Sequence, residues 1–217
     1  MTTSSSEGGV RFVAVAGNMG AGKSTLVEFL ENRFGIRPFY EPNEANPYLK
    51  DFYTDMRRWA FQSQVYFLTS KFGIHQQIVA SRETVVQDRT IYEDAEIFAE
   101  NLYRSRILPK RDYLTYMELY ENIVASLPAP DLLIYLRCSV KAVRKRIRLR
   151  GRPEEQSINP NYLKRLHSLY EDWFDRYDAS ATLVVDTEQV DYVHDMVHRL
   201  DLIEKIEAVM KGRKVSV

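Results

Sequence analysis

The sequence predicts an α/β fold, an open and mostly parallel sheet with helices on both faces. Three observations carry this prediction. Short β-prone runs alternate with longer segments of helical periodicity along the chain. The run Asp131-Leu132-Leu133-Ile134-Tyr135-Leu136-Arg137 is apolar through its middle, as in a strand covered on both faces. The first run, Val10–Ala16, leads into Gly17-Asn18-Met19-Gly20-Ala21-Gly22-Lys23-Ser24, which fits G-x-x-x-x-G-K-[ST] at every fixed position.

In chain order, the first strand covers Val10–Ala16, and a helix follows the glycine loop as far as Arg33-Phe34-Gly35, with Gly35 suited to the C′ position. Ile36–Tyr40 reads as a short second strand closed by Glu41-Pro42, and Asn43–Tyr53 as loop and short helix. A long helix is predicted from Met56 to Ser81, striped by Trp59, Phe61, Val65, Leu68 and Phe72. Gln64 and Lys71 share one of its faces, two turns apart, and spacing alone favours a solvated outer pair. Thr84–Gln87 is a third strand, followed at once by Asp88-Arg89-Thr90. The next helix, from Tyr92 to about Arg106, carries Asp94 and Phe98 one turn apart. A further helix, Tyr113–Leu127, has a wide stripe containing Tyr113, Tyr116, Met117 and Tyr120, which suits either core or a subunit interface. Asp131–Arg137 is the fourth strand. Ser139 caps a helix over Val140–Arg150, and Gly151 ends it. Asn159-Pro160 opens a helix to about Tyr177, Thr182–Asp186 is the fifth strand, and a last helix spans Tyr192–Met210.

Composition bounds the function. The chain has 217 residues, 45% hydrophobic and 28% charged, enough for one domain with a sizeable core. Lys+Arg and Asp+Glu are both 30, which gives no reason to expect a nucleic-acid polymer or a membrane surface as partner. The single cysteine, Cys138, suits a reducing compartment and a cytoplasmic location. Residues 1–9 lack the pattern of a secretory signal and read, with 211–217, as flexible tails around one domain at 10–210.

The glycine loop predicts a chemistry. Its N–H groups would ring a polyphosphate at a helix N-terminus, Lys23 would reach the β- and γ-phosphates, and Ser24 would offer a hydroxyl to Mg²⁺. Asp88, after a buried strand, stands where a Mg²⁺-associated carboxylate is expected. Glu41 is a second strand-end acid, suited to take a proton from an attacking hydroxyl. Seven cations fall in the twelve residues Lys141–Arg152, too dense for an average surface helix and suited to a lid over transferring phosphates. Glu154-Glu155-Gln156 would neutralise part of that cluster. The set describes a kinase of a small molecule.

Five segments then carry a narrower resemblance: Gly17–Thr25, Glu41-Pro42, Arg58–Gln64, Asp88–Asp94 and Arg150-Gly151-Arg152-Pro153-Glu154-Glu155-Gln156. In these the chain resembles the deoxyribonucleoside kinase family, within it the bacterial deoxyadenosine/deoxyguanosine kinases, over about Val10–Tyr192. The resemblance implies a P-loop kinase-like three-layer fold, a five-stranded parallel sheet of order 2-3-1-4-5 and an arginine-rich lid near 146–157. It implies that ATP meets Gly17, Asn18, Met19, Gly20, Ala21, Gly22, Lys23, Ser24 and Thr25, with Arg146, Arg150 and Arg152 over its phosphates and Asp191-Tyr192 at its adenine. It makes Glu41 the general base toward a nucleoside 5′-hydroxyl and Arg89 the residue stabilising the transferring phosphate. Tyr53 and Glu155 match the pair that binds the sugar 3′-hydroxyl, Gln64 reads the base edge, Phe98 stacks on the base, and Asp94 with Lys71 closes the base pocket. Mg²⁺ would lie at Ser24 and Asp88, and a homodimer would form through the helices at 92–106 and 113–127.

Lys71 departs from the arginine usual in purine- and cytidine-handling members, because an ammonium cannot form the same planar fork. Asp88 and Thr90 replace the glutamate and serine of many animal members. A polar Asp94 leans toward deoxyadenosine, with deoxyguanosine and deoxycytidine as competitors. A nucleoside monophosphate kinase and a non-catalytic homologous subunit are the alternatives outside that substrate class.

Overall fold

A computed structural model describes residues 10–40, 45–156, 158–192 and 194–210. The expected tails, and Glu41 with it, lie outside these residues. At the centre is β1 (Phe12–Gly17), buried at all six positions and hydrogen-bonded on both sides. Around it come α1 (Lys23–Phe34), β2 (Arg37–Phe39), α2 (Leu49–Thr54), α3 (Met56–Ala80) and β3 (Val85–Asp88). Then follow α4 (Ile91–Glu93), a π-helical segment Asp94–Ala99, α5 (Glu100–Arg104) and α6 (Lys110–Val124). The chain finishes with β4 (Leu132–Arg137), α7 (Val140–Arg150), a 3₁₀ turn Pro153–Glu155, α8 (Pro160–Phe174), β5 (Ala181–Asp186) and α9 (Met196–Met210).

All four strand pairings are parallel, in the expected order β2-β3-β1-β4-β5. The sheet is apolar because helices cover it. Val13, Val15, Val86, Leu132 and Ile134 are each at most 1% exposed, and each contributes roughly 1.5–3 kcal/mol of transfer free energy. The register pairs Val15 with Asp88 and Gly17 with Leu136, so the glycine loop and the acid leave the same sheet edge side by side. No helix among the described residues is long and apolar enough to cross a membrane.

Of the boundaries that differ from the sequence expectation, four bear on the argument. The third strand runs through Asp88 instead of stopping before it, because Asp88 still pairs with Val15. The helix expected at 92–106 is three pieces, with the π turn over the stretch that holds Asp94 and Phe98. π turns inside helices are frequent at functional sites. Helix α6 begins at Lys110 because Pro109, with φ −62° and ψ 150°, ends the extended approach there. The last helix begins at Met196, so Asp191 and Tyr192 belong to the loop before it.

The tyrosine stripe of α6 resolves toward core. Tyr116 is 0% exposed and packs with Leu68, Ile91, Ala95, Ala99 and Tyr120 in a small second core between α3 and the π segment. Burial pushes the Tyr116 phenol well above its ordinary pKa, and the Tyr120 hydroxyl donates to Glu96 at 2.8 Å.

Gly17 carries the tightest steric constraint. Its φ is +148°, and a Cβ there would sit 2.8 Å from the Leu136 carbonyl oxygen and 3.1 Å from the Leu136 Cβ. Since β1 and β4 are both central, neither backbone can move away cheaply. Gly17→Ala is expected to lower unfolding free energy by roughly 2 kcal/mol or more, read from urea denaturation. An unchanged midpoint and slope would mean the sheet tolerates the methyl.

Candidate active site

The glycine loop closes on its own lysine. Lys23, 7% exposed, donates from Nζ to the carbonyls of Gly17 at 2.8 Å and Asn18 at 3.1 Å. Helix α1 starts at that lysine after Gly22, whose φ is +102°. The positive end of α1 and the ammonium therefore share one concave loop, the arrangement that receives phosphate groups. Gly17 and Asn18 are buried beneath it, Asn18 accepting from the Met19 N–H at 2.8 Å, while residues 19–25 face a cavity of about 1340 Å³.

Asp88 and Ser24 meet across the strand ends. The Ser24 hydroxyl donates to Asp88 Oδ2 at 2.7 Å. Asp88 is 4% exposed, and its Oδ1 has no hydrogen-bond partner among the described residues. A buried carboxylate oxygen beside a serine hydroxyl and a phosphate-type loop fits a hard divalent cation. Arg89 follows in the left-handed region at φ 60°, its N–H bonded to Val15 O at 3.0 Å. For a non-glycine residue this conformation costs roughly 1–2 kcal/mol. It turns the guanidinium to lie 4.5 Å from the centre of the Phe98 ring, on the cavity wall.

The far end of the cavity is built by α2, α3 and the π segment. Tyr53, Gln64, Asp94 and Phe98 all line it. Gln64 is 5% exposed and Lys71 is 0%, so both face inward and the solvated-pair alternative falls. Lys71 Nζ donates to Asp94 Oδ1 at 2.9 Å and to the Thr90 carbonyl at 3.5 Å. Asp94 fronts the cavity and the lysine backs it.

At the end of the cavity nearer the glycine loop, the arginines divide. Arg150 pairs with Glu155 at 2.5 Å and Arg152 with the same carboxylate at 3.6 Å, so Glu155 does offset part of the cluster. Arg146 sits differently. Its guanidinium donates to Ala21 O at 3.1 Å, Thr187 Oγ1 at 2.8 Å and Thr187 O at 2.6 Å. It clamps α7 to the glycine loop and to the segment after β5 while also lining the cavity, and the helix ends only at Gly151, φ 70°. Tyr192 donates to Gly22 O at 3.4 Å and lies tilted 5.8 Å from Phe29, with burial raising its phenol pKa to about 12. Asp191 accepts from the His194 N–H at 3.0 Å at the cavity rim.

Two contributors escaped the sequence reading. Thr187 has no motif and is found only through its bonds to Arg146. Glu93 is fully buried and accepts from Thr90 N at 2.8 Å, completing a capping box. The spacing Thr90-x-x-Glu93 is the signal that reveals it.

This fold and loop define the class, a P-loop kinase-like protein that transfers a phosphoryl group from ATP. The chain belongs to the deoxynucleoside kinase family, whose profile matches residues 13–211. It is 36% identical over 200 residues to the deoxyadenosine/deoxycytidine kinase of Bacillus subtilis, covering 91% of this chain and 92% of that one. It is 36% identical over 208 residues to a deoxyguanosine kinase of Lactobacillus acidophilus, covering 92% and 90%. A solved structure of deoxyadenosine kinase from M. mycoides, with products dCMP and dCDP bound, superposes with TM-score 0.80 at 33% identity, covering 91% and 99%. Membership of this family sets aside the monophosphate kinase; a non-catalytic homologous subunit would share the family, and it is opposed instead by Lys23, Asp88 and Arg89, all present here.

The Lys71–Asp94 pair is expected to behave as a unit. Lys71→Met leaves a buried carboxylate without its cation and should cost about 3–5 kcal/mol in denaturant unfolding. Lys71→Met combined with Asp94→Leu should recover most of that loss. A double variant no more stable than Lys71→Met would show that the pair is not the source of the cost.

Proposed function

We propose that the chain phosphorylates the 5′-hydroxyl of deoxyadenosine with ATP as donor. The observation that carries the base preference is the orientation of the buried pair. Asp94 fronts the cavity beside Gln64, while Lys71 is fully buried behind it. The cavity end is therefore an acceptor, which suits the exocyclic amino group of adenine and opposes the 6-oxo group of guanine. Cytosine carries the same kind of amino group, so deoxycytidine is the second reading, in keeping with the name of the B. subtilis relative.

In this reading the sugar 3′-hydroxyl binds Tyr53 and Glu155, and the base stacks on Phe98. Glu41 takes the 5′-hydroxyl proton. Its role rests on the resemblance and on its place after β2, since it lies outside the described residues, though its neighbour Tyr40 lines the cavity. Arg89 lies against that acceptor region, and Lys23 with Arg146, Arg150 and Arg152 surrounds the phosphates with fixed positive charge. Ser24 and Asp88 would hold Mg²⁺, which when bound draws charge from the phosphate oxygens. We also infer a homodimer, supported by the family resemblance and by exposed Leu114 and Leu119 on α6, 54% and 41% exposed.

A panel of the four deoxynucleosides with ATP and Mg²⁺ tests the substrate. Deoxyadenosine should show the highest kcat/KM, and a clear preference for deoxyguanosine would overturn the acceptor-end reading. Glu41→Gln should lower kcat by about 100-fold or more while ATP still binds. Near-normal turnover would remove Glu41 from the base role. Light scattering should give about twice the 25.4 kDa chain mass, and a monomer would refute the dimer.

A further inference from the structure

We propose that Glu93 is a positioning residue that holds the phosphate loop and the Asp88-Arg89-Thr90 turn at their working separation. Beyond the pairing of Val15 with Asp88 and the bond from Arg89 N to Val15 O, β1 and β3 part company. One becomes the glycine loop, and the other turns through the left-handed Arg89. Glu93, 0% exposed, spans that opening. Its Oε1 accepts from the Gly17 N–H at 3.3 Å and its Oε2 from the Thr90 N–H at 2.8 Å, with the Thr90 hydroxyl at 3.2 Å. From behind, the Tyr170 hydroxyl of α8 donates to Oε1 at 2.9 Å. One carboxylate thus replaces the ladder bonds that two diverging strands can no longer make. Lys23 and Ser24 lie on one side of this bridge, and Asp88 and Arg89 on the other. Glu93 itself does not line the cavity; it acts through the groups that do.

Glutamine separates this role from packing. It has the same shape, but its amide presents one acceptor atom and one donor group. Turned one way it keeps the Thr90 cap and sets an N–H against the Gly17 N–H; turned the other way it loses the cap. Either orientation releases one strand end. The Tyr170 and Thr90 hydroxyls can rotate to accept. Displacements near 1 Å cost reactions up to about 100-fold. Glu93→Gln should therefore lower kcat by about 10- to 100-fold and raise the Kd of ATP several-fold. The KM for the nucleoside should stay within twofold, since Gln64, Asp94 and Phe98 are held by other contacts. Tyr170→Phe removes only the donor from α8 and should leave kcat within about threefold of the parent. If Glu93→Gln does not fold, Glu93→Asp, one methylene shorter, reaches only one end and should show the same split between kcat and nucleoside KM. The proposal is overturned if the folded Glu93 variant keeps kcat and ATP Kd within twofold. It is equally overturned if Tyr170→Phe costs as much, or if nucleoside KM rises in step with the loss of kcat.

Discussion

The pairing of β1 with its neighbours on both sides is the constraint on which the rest depends. β1 is hydrogen-bonded to β3 and to β4 along its length, and nothing in it is exposed. Parallel register then leaves no freedom about what emerges at the carboxyl edge. The glycine loop must start beside Asp88 and above Leu136, and α1 must carry Ser24 to within 2.7 Å of that acid. Ligand sites in such sheets form outside the carboxyl ends of the strands. Here the reason can be named in atoms, because the same pairing that buries Val13 and Val15 also delivers the lysine, the serine and the acid to one place.

Around this edge the protein keeps groups that cost stability. Arg89 is in the left-handed region, and Glu93, Lys71 and Asp94 are charged groups removed from water. Burying an ion pair is worth little against a well-packed apolar alternative. Such groups are kept where their geometry is used. The Arg89 backbone turns its guanidinium onto Phe98, Glu93 bridges two strand ends, and Lys71 fixes a carboxylate at a cavity wall. The π segment belongs with these, since Asp94 and Phe98 both stand on it.

The cationic segment from α7 to Arg152 shows a division of labour among arginines that look alike in sequence. Arg146 spends its donors on backbone and Thr187 and so ties three elements together. Arg150 and Arg152 lie beside Gly151 and share Glu155. A carboxylate holding two guanidiniums at a cavity mouth keeps the local charge low while leaving those cations near the phosphate loop.

By itself the sequence determined the class of fold, the glycine loop, the strand-end acid and the cationic helix, because each rests on local rules. Continuous apolar runs, a fixed glycine–lysine spacing and caps such as Ser139 and Gly151 act within a few residues, and Val140–Arg150 was legible to its ends. Only the tertiary structure decided which way Gln64 and Lys71 face, that Tyr116 and Tyr120 serve the chain's own core, and that Arg146 is a clamp. It also found Thr187 and the span made by Glu93, and it moved Tyr192 from a helix into a loop. These depend on distant partners, such as Ala21 O for Arg146, 125 residues away, and Gly22 O for Tyr192, 170 residues away. A helical period says which residues share a face, but burial and hydrogen bonding from distant elements choose the face that becomes the inside.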